Sequence, residues 1–302
     1  MSTRVSLSPR DLSLLRLLGW TPATTALLLR ASAAFDGEPF ANERRLRERL
    51  QTLADAGIVR SWPTAQAGGG LQNYYKLTPL GFDTILGADA ARPPRAFFAE
   101  VSPSLFVHTF RLAEVIVETT RACHARRATI DRFLRENELI FTAGDRQVQP
   151  DCFFRLTSAG RSFNLAFEID NSMSSIDAFA VNSIRQKLAT YAAYQETLLT
   201  QWLAAGKKWP RPRFRVVFLT RTVARAYHIL SFAAETTANK GRRLIYAATQ
   251  ESYVTAADPL HAPIFLDHFG SWQSLLDPHP TAAFARQPVR LTRPMDLERV
   301  VC

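Results

Sequence analysis

Three carboxylates near the middle of this 302-residue chain have the types and spacing to hold a hard cation. Asp151 follows Pro150 in the apolar run QPDCFFRL, and Glu168 and Asp170 close the next run, SFNLAFEID. Side chains two apart on a strand point to the same side, so Glu168 and Asp170 share a face. The Ser-Ala-Gly-Arg turn between the runs predicts a hairpin, which would bring Asp151 beside them. Clustered carboxylates repel one another unless a cation lies between them, and Mg²⁺ or Mn²⁺ is the natural oxygen-liganded choice. Such an ion lowers the pKa of a bound water and stabilises charge on a phosphodiester being cut. Each residue alone has a plainer reading, since Pro-Asp is a common strand entry and neighbouring acids a common exposed strand end. Order and spacing carry the case.

A second group, Arg44, Arg45, Arg47 and Arg49, follows Asn42 in a segment whose apolar residues Leu46, Leu50, Leu53 and Ala54 recur at helical spacing. Guanidinium groups bind phosphate and pair bidentately with guanine, so an arginine-rich helix suits the DNA major groove. Arg45 and Arg49, one turn apart, are the preferred contacts, with Lys76 a further cation for the backbone. The competing reading is a solvated helix face paired with Glu43 and Glu48. Cys123, Cys152 and Cys302 and the scattered histidines show no metal-ligand spacing, and His108 reads as a packed helix residue.

The elements that position the arginines are legible around them. A leucine-rich helix ends near Gly19, Thr21-Pro22 opens a second helix, Asn42 caps the third and Gly57 stops it. IVRSW and NYYKL then read as strands, and Thr78-Pro79 opens another helix. The run LADAGIVRSW…YYKLTPLG resembles the wing region of winged helix-turn-helix DNA-binding domains, a likeness covering residues 8–87. The proline-rich stretch 88–98 predicts a linker, which divides the chain into domains at 1–87 and 99–302.

Around the carboxylates, a helix from Ser102, strands ELIFT, QPDCFFRL and SFNLAFEID, a long helix from Ile176, strand RFRVVFLTR, a helix near Val223, strand RLIYAATQ and apolar PIFLD follow in turn. That order predicts an α/β domain of mixed α+β character, a central mixed sheet flanked by helices. FGSWQSLL reads as a short helix, and the tail after Pro280 as irregular.

Lys and Arg total 37 against 27 Asp and Glu, giving a formal charge of +10, which favours a polyanionic partner such as nucleic acid, double-stranded DNA on the winged-helix likeness, with an anionic membrane surface the plainer rival. No stretch reaches the roughly 20 apolar residues of a membrane span and the first residues lack a signal peptide's apolar core, so a cytoplasmic, non-membrane protein is expected.

His108 with Glu114, FLRENEL, Pro150-Asp151, Phe167 to Asp170 and QKLATY at Gln186 to Tyr191 resemble the replication-relaxation family of plasmids and other mobile elements, over most of residues 8–220. That family is similar to the PD-(D/E)xK nuclease superfamily and commonly carries a winged helix. The resemblance implies that Asp151 and Glu168 are metal-site acids, with Glu114 a further ligand. Superfamily members carry a lysine two residues after the second acid, where this chain has Asp170; Lys187 on the following helix could supply the ammonium, beside Gln186 and Tyr191. The resemblance implies a DNA-binding role in replication, relaxation or mobilisation, as a homodimer or with replication or mobilisation proteins. An active divalent-metal endonuclease or nickase, and a transcriptional regulator, are the alternatives.

Overall fold

Ser8 sets the start of the first helix. Its hydroxyl accepts from the Asp11 N–H at 3.2 Å while the Asp11 carboxylate accepts from the Ser8 N–H at 2.8 Å, satisfying two donors that a helix start otherwise leaves open. The helix α1 (Pro9–Trp20) buries Leu14, Leu15, Leu17 and Leu18. The sequence starts the second helix at Pro22; the structure starts it three residues later. Ala23–Thr24 forms a short strand, β1, and the Thr24 hydroxyl caps α2 (Thr25–Ala31) by accepting from Leu27 N–H. Asn42 caps α3 (Glu43–Asp55), whose Leu46, Leu50 and Leu53 are fully buried, and Gly57 ends it with φ +73°, a conformation glycine adopts without strain. The strands β2 (Val59–Ala65) and β3 (Leu71–Leu77) pair antiparallel, and β1 adds to β3, giving the order β1-β3-β2. Thr78 then caps α4 (Pro79–Leu86), with Pro79 at its first position.

The computed structural model describes residues 5–65, 69–171, 183–208, 210–237 and 243–276, and it divides the chain into units Met1–Ala125 and Arg126–Cys302. The division does not fall in the stretch read as a linker. Residues there form α5 (Arg95–Phe98), whose Phe97 and Phe98 rings pack edge-on to Phe82 at 6.2 and 6.0 Å. The helix α6 (Phe106–Ala125), expected in the second domain, belongs to the first unit. Phe106 and Phe110 stack edge-on to Tyr74 at 5.9 and 5.3 Å, and Glu118 pairs with Arg30 at 3.1 Å.

In the second unit β4 (Thr129–Arg135) is followed by a small hairpin of β5 (Phe141–Ala143) and β6 (Arg146–Val148), then β7 (Cys152–Ser158) and β8 (Arg161–Asp170). Ala159 and Gly160, at φ +48° and +72°, make the two-residue turn that joins β7 to β8 in the hairpin the sequence predicts. After α7 (Ile184–Ala204) come β9 (Arg215–Thr220), α8 (Val223–Thr237), β10 (Ile245–Thr249), α9 (Gln250–Thr255), β11 (Phe265–Asp267) and β12 (Trp272–Gln273). Seven strands form one mixed sheet, β12-β11-β10-β9-β8-β7-β4, with β8, β9 and β10 parallel and the outer pairings antiparallel. The parallel pairs need crossovers, which α7 and α8 supply. Both pack on one face, over Ala166, Val216, Phe218 and Ala247. On the other face Phe154, Phe167, Tyr253 and Phe265 meet ring to ring, bringing α9 against the sheet. The architecture is mixed α/β, a large sheet flanked by helices. Trp272 and Gln273, read from the sequence as helix, pair with β11 instead, because a sheet edge beside Leu266 offers ladder hydrogen bonds that so short a helix cannot match. The start of the long helix read at Ile176 and the tail after Pro280 lie outside the described residues.

Candidate active site

The sheet changes from antiparallel to parallel pairing at β8, and the acids cluster at the end of that strand. Asp151 precedes β7. Its N–H donates to the Phe167 carbonyl at 2.9 Å, and its carboxylate accepts from the Ile169 N–H at 2.5 Å, so it straddles Glu168 from the neighbouring strand. Ser183 caps α7 by accepting from Gln186 N–H at 3.2 Å, which places Lys187 in the first turn and Tyr191 one turn later on the same helix face. Both reach Glu168. Lys187 Nζ donates to Oε2 at 2.5 Å and the Tyr191 hydroxyl to Oε1 at 2.6 Å.

These groups are withdrawn from solvent, Asp151 at 9 % exposure and Glu168 at 3 %. Burial raises the Glu168 pKa; Lys187 pulls it back and the Asp151 charge adds to the rise, leaving it above the ordinary value. Burial works against the Lys187 ammonium, but the charges of Glu168 and then Asp151 outweigh it and hold its pKa above that of a free lysine. Burial, then Glu168, keeps Tyr191 a phenol, and burial with Asp151 keeps Cys152 a thiol. Cys152 lies on the opposite strand face, in the core.

Asp170 stands apart from this group. Its two oxygens accept from Arg225 Nε at 2.6 Å and a second guanidinium nitrogen at 3.1 Å, so its charge is already matched. Arg225 was not legible as a partner, being 55 positions away. One signal existed: it lies in the first turn of α8, where its N–H donates to the Thr222 hydroxyl and where the helix dipole disfavours a cation unless a specific acid holds it. Glu114 lies in the first unit, where it lines a pocket with Arg30, Phe106 and Phe110. Among the described residues no group of three or more His, Cys, Asp or Glu is placed to hold a metal. Of the four expected acids, Asp151 and Glu168 are the two that the described hydrogen bonds bring together, through β7, β8 and α7. The oxygens of the two carboxylates are of the type that suits a divalent ion.

The arginine helix is partly as expected. Arg44, Arg45 and Arg47 are exposed on α3 and pair locally, Arg44 and Arg45 with Glu48 at 3.1 Å and Arg47 with Glu43 at 2.5 Å. Arg49, a preferred DNA contact in the sequence, turns inward instead and binds the buried Asp11 at 2.7 Å. Lys76 is also withdrawn, at 6 % exposure, donating to the carbonyls of Ala96 and Ala99 at 3.4 and 2.5 Å. No helix among the described residues is long and apolar enough to cross a membrane.

No family model matches the sequence, and no curated protein matches it significantly. The replication-relaxation family expected from the motif residues is thus not among the matches. Among solved structures the restriction endonuclease FokI matches with a TM-score of 0.27 and 11 % identity, over 83 % of this chain. The chain spans 44 % of FokI's length, and a likeness at this level carries no inference about fold or activity.

Proposed function

We propose that this protein binds duplex DNA through its first unit, acting as a winged helix-turn-helix, and cuts or nicks it at Asp151, Glu168 and Lys187 in a PD-(D/E)xK-like second unit. The observation that carries the reading is the ammonium of Lys187, 2.5 Å from Glu168. It supplies from α7 the charge that the superfamily pattern places two residues after the second acid.

Asp151 and Glu168 would hold the divalent ion, which when bound supplies a water of lowered pKa and stabilises charge on the phosphate. The other steps belong to the chain. Lys187, kept protonated, donates rather than accepts, so it orients the nucleophile and offsets charge developing on the phosphodiester and is not a general base. Tyr191 fixes the rotamer of Glu168 through Oε1 and leaves Oε2 to the lysine. In the first unit Arg44, Arg45 and Arg47 exchange Glu43 and Glu48 for phosphates and base edges. The motif likeness supports a place in the replication, relaxation or mobilisation of a mobile element.

A second reading, a DNA-binding regulator without cleavage, is favoured by one observation. Both oxygens of Glu168 and of Asp170 already accept hydrogen bonds from the protein's own side chains. Incubating supercoiled plasmid with the protein and Mg²⁺ or Mn²⁺ decides between them. Nicking that Asp151→Ala abolishes supports the enzyme; salt-sensitive binding with no nicking under either ion supports the regulator.

A further inference from the structure

The second unit carries a group of cations that the site does not use. Across the strands the register pairs Arg132 with Arg155, and Arg155 with Asn164. Like charges directly opposite each other in a sheet repel, and Asp131 beside Arg155 and Glu138 beside Arg132 offset part of that cost. Asn164 lies next in this row, and its amide anchors the backbone of the segment after α7 by donating to the Arg213 carbonyl at 2.9 Å.

Arg213 follows α7, and residues 206–208 and 210–213 there make fixed contacts. Gly206 and Lys207 take φ +66° and +61°, folding the chain back so that Lys207 Nζ lies 5.7 Å from the centre of the Trp202 ring, with Arg211 6.0 Å from the same ring. A non-glycine residue in that conformation is sparsely populated and needs surrounding structure to hold it. Gln195 supplies part of it by donating to the Pro212 carbonyl at 3.1 Å. Arg132, Arg155, Lys207, Lys208, Arg211 and Arg213 are all exposed, and none forms an ion pair among the described residues. Asp131 and Glu138 are the acids near enough to feel Arg155 and Arg132.

Arg132, Arg155 and Asn164 share a sheet face with the acids. Arg155 and Asp151 are four apart on one strand path and Asn164 and Glu168 four apart on the next, so period-two alternation puts all four on one side, with Asn164 about 13 Å along β8 from Glu168. A phosphate backbone, with a charge every several ångströms, matches exposed cations spread along such a path.

We infer that Arg132, Arg155, Lys207, Lys208, Arg211 and Arg213 form a sequence-independent track for the phosphate backbone of duplex DNA, leading to the Asp151–Glu168 pair. The inference rests on the reading of that pair as a DNA-facing site. The track holds the duplex by charge alone, with Trp202 serving as the platform for Lys207 and Arg211.

The test is a salt titration of duplex binding by the full chain, read by fluorescence anisotropy on a random-sequence duplex. The variant K207Q/K208Q/R211Q/R213Q is compared with the native chain and with R44Q/R45Q/R47Q. Four lost phosphate contacts flatten the log–log salt dependence by about 3 to 4 and weaken binding to every duplex sequence alike. The charge-preserving K207R/K208R/R211K/R213K keeps the native slope, which separates lost charge from lost structure. An unchanged slope in the glutamine variant overturns the track. So does a loss of binding to phosphatidylglycerol vesicles without loss of binding to DNA. A flattened slope in the loop variant, with no effect of the α3 substitutions, leaves the track standing and removes the winged-helix reading. Nicking that disappears in the loop variant and returns in the charge-preserving one ties the track to the acid pair. Nicking unchanged in the loop variant at limiting protein overturns that link.

Discussion

At the residue scale the site depends on one carboxylate held by two donors with different roles. Lys187 and Tyr191 donate to different oxygens of Glu168, and in the proposed reaction the first brings charge and the second orientation. Tyr191→Phe should therefore lower the cleavage rate by about tenfold with little change in KM, because the ring stays packed while the carboxylate loses a fixed rotamer. Single-turnover kinetics read the split, and an equal loss in Tyr191→Phe and Asp151→Ala would contradict the division of roles. Lys76 offers a test away from the site. Burial pushes its pKa from the ordinary 10.5 down to about 8, so between those values the unfolded chain binds more protons than the folded one. Stability should then rise with pH across that window, by at most about 3 kcal/mol, and Lys76→Met should flatten the rise. Denaturant melts from pH 8 upward measure it. A flat profile in the native chain would mean that the ammonium keeps its solvation.

At the scale of elements, the first unit is joined by two contacts that leave little freedom. The Arg49 guanidinium ties α3 to Asp11 of α1, and a carboxylate at 1 % exposure without its partner is an uncompensated buried charge. Arg49→Ala should cost about 3 kcal/mol or more by chemical denaturation, whereas Arg45→Ala, in an exposed pair, should cost under about 1 kcal/mol. Gly81 is the second: a Cβ there would lie 2.0 Å from the Ile58 carbonyl oxygen, so Gly81→Ala must push α4 off β2 and should cost about 2 kcal/mol. Unchanged melting of either variant would show the unit to be looser than its packing.

The same elements show what a sequence can and cannot yield. The Asn42 cap, the buried Leu46-Leu50-Leu53 stripe and the Ala159-Gly160 turn are local, set by residues within one turn of each other, and all were legible. The strand β4 was not. Its TIDRFLR is an edge strand with exposed Arg132 and a register shift between Ile130 and Arg132 that breaks the alternation a reader looks for. The partners of Arg49, Asp170 and Lys76 were hidden because each depends on a tertiary approach, over 38, 55 and 23 positions, that periodicity does not encode. The contact of Lys187 with Glu168 was anticipated because the motif left a specific gap to fill.

At the scale of the whole molecule, the formal charge is +10, and the described residues hold two groups of exposed cations, one on α3 and one across β4, β7 and the segment after α7. Six or more phosphate contacts between them predict that duplex affinity falls by about a thousandfold or more between 50 and 200 mM salt, and a shallow dependence would show that the charge serves solubility alone. The proposed chemistry depends on more than charge: Lys187 is to do the work of the lysine absent from position 170. Single-turnover nicking of supercoiled plasmid in Mg²⁺ by the native chain and by Lys187→Met tests it most directly. A drop of about a hundredfold or more with duplex binding intact is the predicted result. Nicking that is lost in Asp151→Ala but unchanged in Lys187→Met would contradict it, leaving the lysine a structural partner of Glu168.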